Sequence, residues 1–330
     1  MADAILAGDV GGTKSHLGLY RHDGRALALV RDETYPTHEF GSVEEIAAQF
    51  LGANHGVRAA CFGVPGLVIR GRSHATNLPS MAIDQESIAR SLGGVPTRIV
   101  NDLVATAYGM IHLDPSEFAT LQRGAIDATG FNRAVIAAGT GLGEAALIAV
   151  ADGRFIPISS EGGHADFAPR GDEQVELLRY LARKFGHVTF ERVCSGPGLV
   201  NIYRFLTETG GVNEPAWLTE QLTGDGAPAA ISKAALQKTD PVCVHAHEVF
   251  VDVYGAEASN LALKVGGWGG VYIGGGIAPK ILPALQDGRF LRSFGDKGRM
   301  SEALAKIDIK VSLNPAAALV GAARLAAELI

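Results

Sequence analysis

Two polar residues, Asn101 and Asp102, end the apolar run Ile99-Val100 and head an Ala-rich segment, Leu103 to Gly109. Asn and Asp commonly cap helices, because their side chains accept from the free N–H groups of a first turn. A carboxylate where a strand meets a helix also suits a general base beside a bound substrate. The rest of the chain supplies the parts such a base needs. Gly8-Asp9-Val10-Gly11-Gly12-Thr13 is either a plain turn or a loop whose successive N–H groups cradle phosphate oxygens, with Asp9 placed to hold Mg²⁺ directly or through water. Gly139-Thr140-Gly141-Leu142-Gly143 offers a second loop of that make. Between Ser159 and Pro169, Glu161 and His164 bracket two glycines, which suggests side chains turned inward and backbone too close to a neighbour for a Cβ. A Glu161/His164 zinc pair lacks a third and fourth ligand at sensible spacing.

Other candidates are weaker alone. Asn77 is a turn residue or a ligand contact, and Glu191 reads as exposed unless its neighbours recruit it. The run Gly274-Gly275-Gly276 joins a strand to a helix, a turn that admits flat or anionic ligands closely. Cys243, His245 and His247 invite a metal, but at helical spacing Cys243 and His247 share a face while His245 points elsewhere; a helix surface is expected.

The elements that must carry these residues follow from apolar periodicity. Ala4–Ala7 and Ser15–Tyr20 read as strands joined through Gly8–Thr13, and a third strand is expected near Ala26–Arg31. A Walker A loop needs Gly-Lys-Ser/Thr running into a helix, whereas here Thr13 separates Gly12 from Lys14 and a strand follows, so this is a hairpin tip. A helix from Ser42 to Leu51, a strand Val57–Phe62, a hairpin around Arg70-Gly71-Arg72, a helix Asp84–Leu92 and a strand Thr97–Val100 give β-β-β-α-β-α, with binding residues at strand ends. Ala134–Val150 repeats the opening pattern of apolar strand, Gly/Thr tip and return strand. Two half-molecules, each with such a hairpin, would make two jaws around one polyphosphate. Further on come helices Asp172–Phe185 and Leu199–Thr207, a polar loop Asp296–Met300, a strand Ile307–Leu313 and a final helix Pro315–Leu329.

Composition bounds the function. At 330 residues two domains are expected, and 47% hydrophobic with 19% charged residues describes a packed globule. A net charge of −6 argues against a nucleic-acid surface, so a nucleotide's charge must be met locally by N–H groups and a metal ion. Three scattered cysteines suit a reduced compartment without a disulfide framework. The N-terminus lacks the basic start and apolar core of a signal peptide, and the most membrane-like stretch, Ala134–Val150, carries Glu144 and falls short of about 20 apolar residues; a cytoplasmic protein is expected.

In this order the blocks resemble bacterial hexokinase-type glucokinases of the actin-like ATPase superfamily. The resemblance is carried by Gly8–Thr13, Asn101-Asp102, Ala138–Gly143, Glu161-Gly162-Gly163-His164-Ala165-Asp166-Phe167-Ala168-Pro169, Glu191–Asn201 and Gly274–Ile277, and runs from about residue 4 to the final helix. The Glu-Gly-Gly-His block and the Glu-Arg-x-x-Ser-Gly-Pro-Gly-Leu block are highly specific, whereas the Gly/Thr loops are common to the superfamily. The resemblance implies a two-domain α/β fold, actin-like (ribonuclease H-like), with an inter-domain cleft: a small domain of residues 1–111 joined by the C-terminal helix 315–330, and a large domain of 112–314. It implies ATP-dependent phosphorylation of glucose at its 6-hydroxyl, giving glucose 6-phosphate and ADP at the first step of glycolysis.

The same resemblance implies roles. Asp102 is the general base; Asn77, Asn101, Glu161, His164 and Glu191 bind sugar hydroxyls; Thr140 with Gly139 and Gly141 holds phosphates; Gly275 and Gly276 approach the adenosine; Asp9, Gly11, Gly12 and Thr13 line the phosphate side. ATP and Mg²⁺ are the expected cofactors, glucose and ATP the partners, with no nucleic acid or membrane, and a homodimer the expected assembly. Two departures stand out. Lys14 stands where this family usually carries Asn; Lys there resembles the related repressor/ORF/kinase group, whose Cys-x-Cys-Gly zinc motif these three cysteines cannot make. Ser80 and Met81 follow Asn77-Leu78-Pro79 where a Trp is often found. A related hexose or amino-sugar kinase is the nearest alternative. A repressor-type sensor is expected to need a helix-turn-helix before Asp9, and a filament protein would not need Glu161, His164 and Glu191. A catalytically dead sugar binder would require the loss of Asp102, which is present.

Overall fold

A computed structural model describes residues 3–24, 26–52, 56–74, 81–211, 214–222 and 224–330. The chain divides into two compact units, Met1–Glu117 with Phe155–Ser159 and Asn314–Ile330, and Phe118–Arg154 with Ser160–Leu313. Both are α/β.

The first unit contains β1 (Asp3–Val10), β2 (Lys14–His22), β3 (Leu27–Pro36), β4 (Val57–Val64), the short strands β5 (Leu67–Ile69), β6 (Arg72–His74) and β7 (Ile83–Asp84), and β8 (Thr97–Asn101). Its main sheet runs β3-β2-β1-β4-β8, with β1, β4 and β8 parallel and the β1–β2 and β2–β3 pairs antiparallel. Both faces of this sheet are covered, which is why Ile5, Leu6 and Ala7 are all fully buried instead of alternating. Leu6, Phe62 and Val64 face Val43, Ile46 and Phe50 of the helix Val43–Leu51. Ile5, Ala7, Ala59 and Cys61 face the other way, towards Ala105, Leu319, Ala322 and Ala323. Ser42 caps the first of these helices by accepting from Glu45 N, as the sequence led one to expect, and Asp84 caps the helix Gln85–Ser91.

The helix Asp102–Met110 and the final helix Ala317–Ala327 meet backbone to backbone. A Cβ on Gly321 would lie 1.8 Å from Ala105 O, and one on Gly109 would lie 1.8 Å from Ala317 O. Two glycines thus set the separation of the pair, and with it the placement of the helix that Asp102 opens.

The second unit contains β9 (Phe118–Gln122), β10 (Arg133–Ala138), β11 (Leu142–Ala149), β13 (Val271–Gly274) and β14 (Ile309–Ser312); β12 (Phe155–Ser160) belongs to the first unit except for Ser160. Five of its strands run β11-β10-β13-β14-β9. The pattern of the first unit recurs: a β10–β11 antiparallel hairpin lies beside a parallel neighbour, β13. The core is built around the helix Pro241–Val265, whose Phe250 and Tyr254 are buried.

Three local expectations change. Strand β3 continues to Pro36, because the whole of β2 is paired from Lys14↔Pro36 to His22↔Leu27; its polar, exposed sequence carries no apolar period. Strand β9 has no counterpart in the sequence reading and exists through its pairing with β14. Cys243 and His247 do share a helix face, but that face is buried, and only His245 reaches solvent, against Glu173 at 2.6 Å. The helix surface expected there is a core face instead. Among the described residues no group of three or more His, Cys, Asp or Glu is arranged to hold a metal, and no helix is long and apolar enough to cross a membrane. Cys61, Cys194 and Cys243 are buried and free.

Replacing Gly321 by Ala is expected to force the two helices apart and lower stability by about 1–3 kcal/mol. A urea midpoint unchanged from wild type would show that this contact does not set their spacing.

Candidate active site

In the first unit the site residues collect at the C-terminal edge of the parallel strands, where open α/β sheets bind ligands. Asp9 lies opposite Gly63 on β4, Gly63 opposite Val100 on β8, and Val64 opposite Asn101. Two strand spacings separate the Asp9 and Val100 backbones, about 10 Å. Glycines let the strands and the helix close up here. A Cβ on Gly8 would fall 2.3 Å from the Phe62 ring, and one on Gly63 would fall 3.0 Å from Ala105 Cβ and 3.5 Å from Asp102 Cα.

Asn101 and Asp102 stand together at the start of the helix. Asn101 is the cap: its Oδ1 accepts from Leu103 N at 2.9 Å, and its Nδ2 donates to Gly66 O at 3.1 Å. After those bonds its amide retains one N–H and one lone pair for a ligand. Asp102 is the first residue of the helix, and its Oδ1 also accepts from Leu103 N at 2.9 Å.

The tip Gly11-Gly12-Thr13 is a tight hairpin turn closed by Gly11 N donating to Lys14 O at 2.9 Å. Thr37 pins it. Its N–H donates to Thr13 O at 3.0 Å, its hydroxyl donates to Gly11 O at 2.8 Å, and Ser15 Oγ lies 2.8 Å from that hydroxyl. Nothing in the sequence around Tyr35-Pro36-Thr37 marks this role. Burial pushes the Asp9 carboxyl above its ordinary range, and the nearby His16 works against that shift. An acid desolvated beside a turn of free-standing N–H groups gains from a cation and offers the hard oxygen donor that Mg²⁺ prefers. Asn77 lies outside the described residues.

In the second unit three Gly-bearing segments converge on the end of β10. Gly139 N donates to Gly141 O at 2.8 Å across the tip that holds Thr140. Gly139 O in turn accepts from Gly196 N at 2.8 Å, at the start of the helix Gly196–Gly210. Gly275, at φ +80°, passes so close that a Cβ there would lie 2.3 Å from Ala138 O, and Gly276 follows it. Ser195 caps the helix by accepting from Gly198 N at 3.0 Å and donates its hydroxyl proton to Glu191 O at 2.7 Å. The helix therefore starts three residues before the expected Leu199, with Pro197 in its first turn.

Glu191 is recruited to that tip. Its Oε2 accepts from Leu142 N at 3.0 Å and would lie 2.5 Å from a Cβ on Gly141. Glu161 and His164 flank the short turn Gly162–His164. The segment that follows is zipped to the one that delivers Glu191: Phe167 N donates to Val188 O and Phe190 N to Ala165 O, each at 3.0 Å. Gly163 rests on β11, where a Cβ would lie 2.1 Å from Leu142 O, as the paired glycines implied. The Glu161 and His164 side chains, expected to turn inward, are instead 54% and 60% exposed, with His164 Nε2 4.0 Å from Glu161 Oε2: the close approach of this turn is made by its backbone, which leaves both side chains open to a ligand. The second unit therefore brings Glu161, His164, Glu191, Gly139–Gly141 and Gly275 onto one set of connected loops.

A Gly/Thr hairpin beside parallel strands in each unit, with an acidic loop next to one of them, is the arrangement of an actin-like ATPase-fold kinase. Residues 6–329 match the glucokinase family model. A glucokinase from Synechocystis sp. is 38% identical over 98% of both chains. One from Nostoc sp. is 40% identical over 98% of this chain and 99% of that protein. Among solved structures, glucokinase from an Antarctic psychrotroph superposes with a TM-score of 0.85 at 30% identity, covering 99% of each chain. A ROK family glucokinase from Streptomyces griseus, solved in complex with glucose and AMPPNP, shares the fold at a TM-score of 0.64 and 23% identity, over 98% of this chain and 99% of that one. The chain belongs to the glucokinase family, and it is a sugar kinase.

Gly163→Ala is expected to push the Glu161–His164 turn off β11. In a coupled sugar-phosphorylation assay kcat/KM should fall about tenfold or more, the equivalent of at least ~1.4 kcal/mol of binding. A wild-type value would mean that the turn does not depend on that contact.

Proposed function

We propose that this chain transfers the γ-phosphoryl group of ATP to the 6-hydroxyl of glucose, giving glucose 6-phosphate and ADP as the first step of glycolysis. The observation that carries the reading is Asp102, a carboxylate in the first turn of a helix, on the sheet edge where the Asp9 hairpin also ends. A sugar hydroxyl is a neutral, poor nucleophile, and phosphoryl transfer depends mostly on positioning and charge stabilisation. Asp102 orients the 6-hydroxyl and accepts its proton as the oxygen attacks phosphorus.

Asn77, Asn101, Glu161, His164 and Glu191 bind the remaining hydroxyls. Carboxylates suit that task, because each oxygen accepts a charge-assisted hydrogen bond. The tips Gly11-Gly12-Thr13 and Gly139-Thr140-Gly141 hold phosphate oxygens through N–H groups, and Gly275 and Gly276 admit the adenosine. Asp9 would hold Mg²⁺, which when bound offsets the negative charge of the phosphates. In this reading residues 1–111 with 315–330 act as the small domain and 112–314 as the large one, in a cytoplasmic homodimer. Glucose and AMPPNP in the Streptomyces griseus relative support the choice of sugar and nucleotide.

Purified protein assayed with ATP, Mg²⁺ and a panel of hexoses tests the reading, and glucose should give the highest kcat/KM. Asp102→Asn should cut kcat by about 10²–10⁴-fold while glucose affinity is mostly kept; full activity would remove Asp102 from the base role. His164→Ala should raise the KM for glucose about 3–10-fold, the loss of one exposed hydrogen bond made to ground state and transition state alike. An unchanged KM would place the His164 contact elsewhere.

A further inference from the structure

Beneath the Glu161–His164 turn lies a pair of acids that none of the roles above uses. Glu144, on β11, is 1% exposed, and Glu257, on the helix Pro241–Val265, is fully buried. Glu144 Oε2 supports the turn directly: a Cβ on Gly162 would lie 1.9 Å from it. Glu144 Oε1 is buried with no hydrogen-bond partner. Glu257 is better supplied, accepting from Asn260 Nδ2 at 2.7 Å with Lys264 Nζ at 3.4 Å. Lys297 Nζ reaches the same group through Asn260 Oδ1. The remaining titratable neighbour is the buried thiol of Cys194, which both acids push upward after burial itself.

We propose that Glu144 and Glu257 act as a buried acid–carboxylate pair, sharing one proton, that positions the Glu161–His164 turn for sugar binding. Two carboxylates in contact inside a protein cannot both ionise cheaply. Burial pushes both carboxyls above their ordinary range, but the Asn260 amide and the Lys264 ammonium draw Glu257 back towards its charged form, so Glu257 is the better carboxylate of the two and Glu144 the better acid. Burial first, then the Glu257 charge, push Glu144 up from the ordinary 4.5 to about 8. When Glu144 loses its proton the donated bond is lost and two like charges repel. Gly162 rests on that same Glu144 carboxyl, so a shift of the side chain disturbs the turn. Glu161 and His164, the titratable side chains on the turn itself, are more than half exposed.

The inference deepens the proposed function and rests on it for its kinetic readout, so the test has a second readout that needs no sugar. If only the protonated pair binds well, the KM for glucose rises about tenfold between pH 7 and pH 9, as the competent fraction falls, while kcat changes far less. Glu144→Gln, which mimics the protonated acid, should flatten that rise. Amide hydrogen exchange of Gly162 to Ala165 in the sugar-free protein should be faster in wild type than in Glu144→Gln at pH 9 and equal at pH 7. A folded pKa above the unfolded one means that stability is fullest below the unfolded value and is lost as pH rises through about 8. The thermal midpoint of Glu144→Gln relative to wild type should therefore climb over that range and level off above it. An alkaline KM rise retained in Glu144→Gln, or equal exchange of the two proteins at pH 9, overturns the proposal. Should that variant not fold, Glu257→Gln gives the same contrast, and wild-type exchange at the two pH values, corrected for intrinsic rate, decides alone. Absence of glucose phosphorylation with the exchange contrast intact would sink the assigned sugar and leave the acid pair standing.

Discussion

Backbone meeting backbone, with no side chain between, is the contact on which the site of each unit depends. In the second unit the turn at Gly275 closes on Ala138, and the Glu161–His164 turn closes on Leu142 through Gly163. In the first, the helix opened by Asp102 is seated by Gly63 against β4 and by Gly109 and Gly321 against the final helix. Each glycine carries an entropic cost of roughly 0.5–1 kcal/mol relative to Ala. The return is that peptide groups at strand ends approach within van der Waals distance, which aims their N–H groups at a small volume. A phosphate chain is best held by such groups, since they are rigid, uncharged and directional.

The handling of charge follows from this. The chain is acidic overall, at −6, yet its reading as a kinase requires it to grip polyanions. Peptide N–H groups can meet that demand without basic side chains, which would leave acidic side chains for hydroxyls. The acids near the site sit in different environments. Asp9 is desolvated at the hairpin, Glu161 is open to solvent, Glu191 is spent in part on Leu142 N, and Glu144 is sealed under a turn. The same functional group meets very different conditions, according to water access and partners.

Much of the site was legible because its residues are chemically conspicuous. Glycine clusters with Thr or Asp mark hairpin tips, and both hairpins form where the repeat placed them. Ser42 and Asp84 stand at the starts of the helices expected there, and Asn101 caps the helix that follows it. The pieces that escaped are those whose role exists only through a distant partner. Thr37 is an unremarkable residue until its hydroxyl meets Gly11 O, twenty-six positions away, and β9 is a strand only beside β14. Glu144 looks like a polar interruption of an apolar strand; the partner that explains it, Glu257, is more than a hundred residues on, within a helix whose buried faces blurred its period.

By itself the sequence determined the α/β class, the repeated hairpins and the list of polar residues at strand ends, because these depend on local periodicity, turn chemistry and steric freedom within a few residues. The tertiary structure decided which of those residues share a loop system, that Asn101 caps while Asp102 opens the helix, and that Cys243 and His247 face a core. Those outcomes depend on which backbone segments can touch and which groups lose water when they do. Both are properties of packing between remote parts of the chain, and a linear pattern does not encode them residue by residue.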